Sequence, residues 1–461
     1  MAAAPTIDVS RLIDERPIDR FSYGLIVASL VVFLFDGYDI TVLFVAMPQL
    51  KAAWQVTNPL EIGTVLSANL LGIFLGSPLF GYAGDHFGRK KAMVASCLTF
   101  GVFTLAAVWA TSMPQMGILR LLAGTGIGGL MPNVLALNAE YAPRRRRATI
   151  LIVMFTGVPL GGALPGLVAK TLVPAHGWEL LFWIGGLAPI AMAGLIALVI
   201  PESIKFLVVR GRRRAMVETL VRRLDPHAGI GPDTRILVRD EKHYTGLSPR
   251  HLFGDGMALI TPLLWLCFAL NLMAYFFLAS WMPTLLVDAK VLSPADAGVA
   301  SMLLQFGGVV GSLILCLPMD RKGLLPITVM FACAVPVIGS IGFLSGSVLA
   351  LSVAIFFAGF CVLGLQGGLN AIAGMIYPTA FRSNGTGWAL AVGRIGSFVG
   401  PFVGGFLLKA RLPLPDLFMA AAIPSAVGTL ACFLLMRRYR SRFGGHAIDH
   451  GDPLEQAAAT R

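Results

Sequence analysis

Hydrophobic positions along this chain gather into unbroken runs rather than into alternating or two-faced stripes. Twelve such runs recur, each near the ~20 residues that a helix needs to cross a bilayer. They cover residues 22–47, 62–83, 92–110, 115–140, 148–170, 178–200, 257–285, 297–318, 325–345, 349–376, 384–408 and 415–436. The pattern predicts an all-α polytopic membrane protein with twelve transmembrane helices in two pseudo-symmetric six-helix bundles. Polar segments between the runs are short except for residues 201–256, which divide the chain six to six. The organisation expected is a cytoplasmic segment 1–21, a first bundle 22–200, a linker 201–256, a second bundle 257–436 and a tail 437–461.

Lys and Arg set the orientation, because cytoplasmic loops carry their excess. Clusters follow the even-numbered runs: Arg89-Lys90-Lys91, Arg144 to Arg147, the long linker, Arg321-Lys322, Arg382, and Arg437-Arg438 with Arg440 and Arg442. The other side holds only Lys51, Lys170, Lys290, Lys409 and Arg411. Both termini are therefore expected in the cytoplasm. Within the linker, Phe206 to Val209 and Ala215 to Val221 stand among arginines. They read either as short amphipathic helices on the inner leaflet or as a solvated linker.

The halves echo each other. Gly81-Tyr82-Ala83-Gly84-Asp85-His86-Phe87-Gly88-Arg89-Lys90 follows the second run, and Cys316-Leu317-Pro318-Met319-Asp320-Arg321-Lys322-Gly323 follows the eighth. Glycines crowd the fifth run (Gly157, Gly161, Gly162, Gly166) and the eleventh (Gly396, Gly400, Gly404, Gly405). Such repetition marks secondary transporters, which rock two bundles around a midplane site.

Composition agrees. Of 461 residues, 56% are hydrophobic and 13% charged, against ~25% charged in soluble proteins. The net charge of +12 follows the loops and offers no soluble basic domain to nucleic acid. The six cysteines (97, 267, 316, 333, 361, 432) lie in apolar stretches without a Cys-x-x-Cys spacing, and read as buried thiols. Residues 1–20 lack the apolar core of a signal peptide.

Two carboxylates interrupt the first run, in Phe33-Leu34-Phe35-Asp36-Gly37-Tyr38-Asp39. At the bilayer centre each costs ~2.5–3.5 kcal/mol on the insertion scale, and the i, i+3 spacing puts both on one helix face. Solubility does not explain them. A polar cavity, a proton path or a pairing with a buried cation does.

With these motifs in view, the chain resembles the major facilitator superfamily over nearly its whole length. The Gly81-to-Lys90 loop resembles that superfamily's signature between helices two and three, with His86 departing from the usual Arg or Lys. The second copy departs further, with Cys316 for the first glycine and Leu324 where Arg89 stands. Arg120-Leu121-Leu122-Ala123-Gly124 resembles the fourth-helix motif linked to proton coupling. Asp36-Gly37-Tyr38-Asp39, Asn133 to Arg147 and Tyr377 to Gly405 resemble the aromatic acid:proton symporters. The resemblance implies import of benzoate- or hydroxybenzoate-like anions across a bacterial inner membrane, by a monomer driven by the proton gradient.

The charges inside the runs are few: Asp36, Asp39, Arg120 and Arg394. Counting ~1.5 Å per residue brings Arg120 to the depth of an aspartate. Asp36, Asp39 and Arg120 are the expected proton-coupling group, the alternative being a fixed ion pair that orients helices. Arg394 has no acidic neighbour in sequence, and a guanidinium grips a carboxylate bidentately. It is the expected substrate anchor, unless it reaches Asp36 or Asp39 in the empty carrier; a substrate carboxylate could then take the place of that aspartate, and Asp39 also counts among the substrate-binding candidates. Tyr38, Asn271, Tyr275, Gln305, Gln366, Asn370 and Trp388 are candidates to line an aromatic pocket, with Trp281 a weaker one. Tyr and Trp near span ends also serve as interface anchors, and Asn and Gln as glue between helices. Asp85, Arg89, Asp320 and Glu140 stand at cytoplasmic helix ends, as gating charges would.

No Walker loop is present, so no ATP-driven mechanism and no cofactor is expected. No grouping of His, Ser and Asp within the runs suggests an enzyme. Carriage of another organic anion, alicyclic or nicotinate-like, and export by proton antiport remain open readings.

Overall fold

The computed structural model describes residues 6–9, 12–13, 20–141, 143, 150, 153–209, 214–224, 234–237, 252–254, 256–377 and 382–443. Twelve helices in it are long and apolar enough to span a membrane. They are α1 (Arg20–Ala53), α2 (Pro59–Phe87), α3 (Arg89–Ala106), α4 (Met113–Tyr141), α5 (Gly157–Thr171) and α6 (Glu179–Val199). The second six are α7 (Ile260–Asp288), α8 (Pro294–Lys322), α9 (Leu325–Ser340), α10 (Val348–Ile376), α11 (Arg382–Lys409) and α12 (Leu414–Phe443).

Several helices outrun their apolar stretches. α1 continues to Ala53 and α7 to Asp288, because a helix needs apolar residues only where hydrocarbon surrounds it. Polar signals set several of the ends. The Asn58 side chain accepts from the Leu60 amide at 3.1 Å and Pro59 opens α2. Ser293 caps α8 through the Asp296 amide at 3.1 Å, with Pro294 next. These satisfy amides that the first turn leaves unpaired. Gly88 and Gly323, the two glycines of the repeated loop, both have positive φ, +110° and +57°, and each ends its helix.

The internal repeat is visible in the packing. α2 packs on α4 as α8 does on α10, α1 on α5 as α7 does on α11, and α3 on α6 as α9 does on α12. Each pairing returns six helices later. The halves meet along α5 with α8, α2 with α11, and α1 with α7.

Two short helices, Ile204–Val209 and Arg214–Leu224, occupy the linker. Their apolar side chains Leu207, Val217, Leu220 and Val221 are covered by protein rather than offered to lipid. A parallel pairing of Thr6–Asp8 with Arg235–Leu237 ties the N-terminal segment to the linker. The expected clusters at Arg144 to Arg147 fall outside the described residues, as do the side chains of Cys316, Asp320, Arg321 and Lys322.

Candidate functional site

Helix α1 places Asp36, Tyr38 and Asp39 together at the centre of the first half, where all three are buried. Their surroundings differ. Asp39 is held by Arg120 of α4: one guanidinium nitrogen meets Oδ1 at 2.9 Å, and the other meets Oδ2 and the Asp39 carbonyl. Thr104 of α3 bridges the pair, donating to Asp39 Oδ1 at 2.9 Å and accepting from Arg120 at 3.0 Å. The Phe182 ring of α6 lies 6.0 Å from the guanidinium carbon, within cation–π range. Four helices of one bundle thus converge on a pair with no water access, both side chains being 0% exposed.

Asp36 is buried without such a cage, and its Oδ1 has no hydrogen-bond partner. It interacts electrostatically with Arg394 of α11 across the seam between halves. No ion pair joins Arg394 to a carboxylate among the described residues. Its Nη2 contacts the Met131 sulfur of α4 at 3.7 Å. Arg394 is half-buried and stands at the seam of both bundles.

The second half contributes amides and rings of its own. Asn271 donates to Gln366 at 3.0 Å, and Gln366 to Asn370 at 3.3 Å. The Tyr275 hydroxyl donates to Gln305 at 3.1 Å. The Gln305 amide rests on Gly162 of α5, whose carbonyl accepts from Thr41 at 3.0 Å. Polar groups of α1, α5, α7 and α8 therefore meet at one point of the seam. Toward the C-terminal end of α1, Phe44 of α1 and Phe276 of α7 stand edge to face at 6.4 Å, with Tyr275 at 4.8 Å from Phe276.

Three aromatic candidates stand apart from this cluster. The Tyr38 hydroxyl donates to the Leu181 carbonyl at 3.0 Å, inside the first bundle. Trp388 stacks on Trp265, centroids 5.9 Å apart. Trp281 donates to the Pro401 carbonyl at 2.8 Å, joining α7 to α11.

Where α2 ends and α3 begins, Arg89 reaches Asp85 at 2.5 Å and Glu140 at 4.0 Å. Glu140 also accepts from the Ser203 hydroxyl. Glu202 accepts from the amides of Lys90 and Ser203, each at 3.0 Å, and its carbonyl accepts from Tyr141 at 2.8 Å. Gly88 lies against the Glu202 carboxylate at φ +110°, where an L side chain would be both strained and obstructed. These contacts join α2, α4 and the start of the linker. The Asp320 side chain, the expected counterpart in the second half, is outside the described residues.

On the opposite face the halves are tied directly. Lys51 of α1 pairs with Asp288 of α7, and Lys170 of α5 with Asp296 of α8, each at 2.5 Å. Beside the second pair, Gly166 and Gly298 bring α5 and α8 into backbone contact; a Cβ on Gly298 would lie 2.8 Å from the Gly166 carbonyl oxygen.

Thr104, Phe182, Phe44, Phe276, Glu202 and Ser203 were not singled out from the sequence. A threonine or phenylalanine in an apolar run carries no signal of its own. Glu202 did carry one: it is a charge directly after the sixth run.

Twelve spans in two repeated halves, with buried charges where the halves meet, define a multi-pass membrane carrier rather than an enzyme. The chain belongs to the Major Facilitator Superfamily, whose family model matches residues 29–339 and 264–452. It is 35% identical to a gallate transporter of Pseudomonas putida over 92% of this chain and 94% of that one. It is 31% identical to the 4-hydroxybenzoate transporter PcaK of the same organism, over 92% and 95%. Among solved structures, a bacterial homologue of the human lysosomal transporter Spinster shares the fold, with TM-score 0.70 at 15% identity over 91% of this chain and 98% of that one.

Proposed function

We propose that this carrier imports an aromatic carboxylate of the benzoate or hydroxybenzoate type across a bacterial inner membrane, coupled to protons, by alternating access, with both termini in the cytoplasm. The observation that carries the reading is Arg394: a half-buried guanidinium at the seam of the two halves, facing Asp36, without an ion-paired carboxylate among the described residues. A substrate carboxylate meets its fork bidentately. Gln305, Gln366 and Asn370 supply hydrogen bonds for ring substituents, and Tyr275 with Phe276 supplies apolar walls. The relatives named for gallate and 4-hydroxybenzoate support an aromatic acid as the anion.

Asp39 and Asp36 divide the proton work. Asp39 is already committed to Arg120 and Thr104. Asp36 has an oxygen free of partners and is the carboxyl able to take a proton without breaking an ion pair. Burying a carboxylate with incomplete hydrogen bonding is costly, and a proton removes that charge. Substrate on Arg394 withdraws the cation from Asp36, so anion and proton enter the seam together. The ion pairs Lys51–Asp288 and Lys170–Asp296 close the outer face, while the Arg89 network keeps α2 and α4 joined on the inner face. The proton gradient is the driving force.

The test is uptake of labelled 4-hydroxybenzoate and gallate into proteoliposomes with an imposed inward proton gradient. Accumulation that collapses with a protonophore is the expected result. Accumulation of an alicyclic or aliphatic acid in preference to both aromatic acids would overturn the substrate reading, and accumulation indifferent to the protonophore would overturn the coupling.

A further inference from the structure

A groove of 540 Å³ runs between the start of α7 and the end of α12, lined by Leu259, Leu263, Leu266, Leu434, Arg437 and Arg438. It lies on the outside of the second half, away from the seam. Leu259, Leu266 and Leu434 are 54%, 41% and 42% exposed, although they belong to or border membrane-crossing helices, so this wall faces hydrocarbon.

The groove is graded along the membrane normal. Leu259, Leu263 and Leu266 follow one face of α7 at i, i+4 and i+7, descending ~10 Å from the membrane surface. α12 runs the other way and brings Leu434 to the deep end and Arg437, Arg438 and Ser441 to the shallow end. Both arginines are exposed, and no carboxylate pairs with either among the described residues. They stand on the face that carries the other cationic clusters, hence the cytoplasmic one. An apolar trough closed at its aqueous end by two unpaired guanidinium groups has the order of an anionic phospholipid, acyl chain below and phosphate above.

We infer that this groove is a binding site for an anionic phospholipid of the cytoplasmic leaflet, its acyl chain along Leu259, Leu263, Leu266 and Leu434 and its phosphate on Arg437 and Arg438. Two guanidinium groups at a bilayer surface favour an anionic over a zwitterionic headgroup by roughly ten- to thirty-fold. The site touches neither Arg394 nor the aspartates, so it stands independently of the substrate assignment.

The experiment is native mass spectrometry of the full-length carrier in detergent, titrated with phosphatidylglycerol or phosphatidylcholine of the same acyl chains. The wild type should bind phosphatidylglycerol about ten-fold more tightly, and the Arg437→Gln/Arg438→Gln double variant should bring the two lipids within about two-fold. The control Arg222→Gln/Arg223→Gln, on the linker helix, should keep the preference. Glycerol phosphate without acyl chains should not compete. The inference is overturned if the double variant keeps the preference, if the control loses it equally, or if glycerol phosphate displaces the lipid. The exposure of both arginines leaves folding intact, which an unchanged unfolding temperature in lipid-free detergent verifies.

Discussion

Arg120 holds Asp39 with both ends of its guanidinium, and Thr104 completes the triangle. One helical turn earlier on the same face, Asp36 keeps an oxygen without a partner. Two carboxylates that look equivalent in sequence therefore differ in their surroundings: one is the counter-ion of Arg120, and the other keeps an unpartnered oxygen and interacts electrostatically with Arg394.

That division predicts opposite phenotypes. Asp39→Asn strands a buried guanidinium, and breaking a buried pair costs about 3–5 kcal/mol. The variant should unfold at a markedly lower temperature. Asp39→Leu with Arg120→Met should recover most of that loss, since an apolar replacement of both partners removes the orphaned charge. Thermal unfolding of the two variants beside the wild type checks this; a stable Asp39→Asn single variant would contradict the cage.

Asp36→Asn should fold as well as the wild type, because no ion pair is broken. It should still exchange labelled for unlabelled substrate across the membrane and should no longer accumulate it against a gradient. Counterflow and gradient-driven uptake in the same vesicles separate the two. Retained proton-driven accumulation would assign the proton elsewhere.

Arg394→Lys preserves charge and removes the fork. Substrate affinity should fall at least ten-fold, about 1.4 kcal/mol or more, with little change in unfolding temperature without substrate. Isothermal titration with 4-hydroxybenzoate at constant pH measures it, and unchanged affinity would remove Arg394 from the anchor role.

The proposed outer closure has two parts of unequal weight. Lys51–Asp288 and Lys170–Asp296 are partly exposed, and such pairs are worth about 0–1 kcal/mol each. Removing both lysines should shift the balance of outward- and inward-facing states by at most about thirty-fold, and less at high salt. Gly166→Leu is more severe, because backbone contact with Gly298 leaves a side chain nowhere to go. Outward-face accessibility to a membrane-impermeant thiol reagent, read at Lys51→Cys, should rise strongly in the Gly166→Leu background. Accessibility equal to that of Lys51→Cys alone would refute the closure.

Much of this protein was legible in order along the chain. Length and hydropathy determined twelve spans, because the bilayer admits only helices of a narrow length range or closed barrels. The repeated loop and the six-to-six division determined the two halves, and the lack of any solubility reason for Asp36, Asp39, Arg120 and Arg394 singled them out as candidates. What tertiary structure alone decided was partnership. Arg120 could have met either aspartate, since i and i+3 share a face; the convergence of α3 and α6, bringing Thr104 and Phe182, selects Asp39. Tyr38 lies between the two aspartates in sequence yet turns to Leu181 inside the bundle, because a side chain's direction depends on which neighbour packs against each face of its helix. Glu202 and Ser203 join Glu140 and Gly88 only once the start of the linker folds under α4. Spans are local and are written in composition; ion pairs, cages and seams join residues tens to hundreds of positions apart, and packing chooses them.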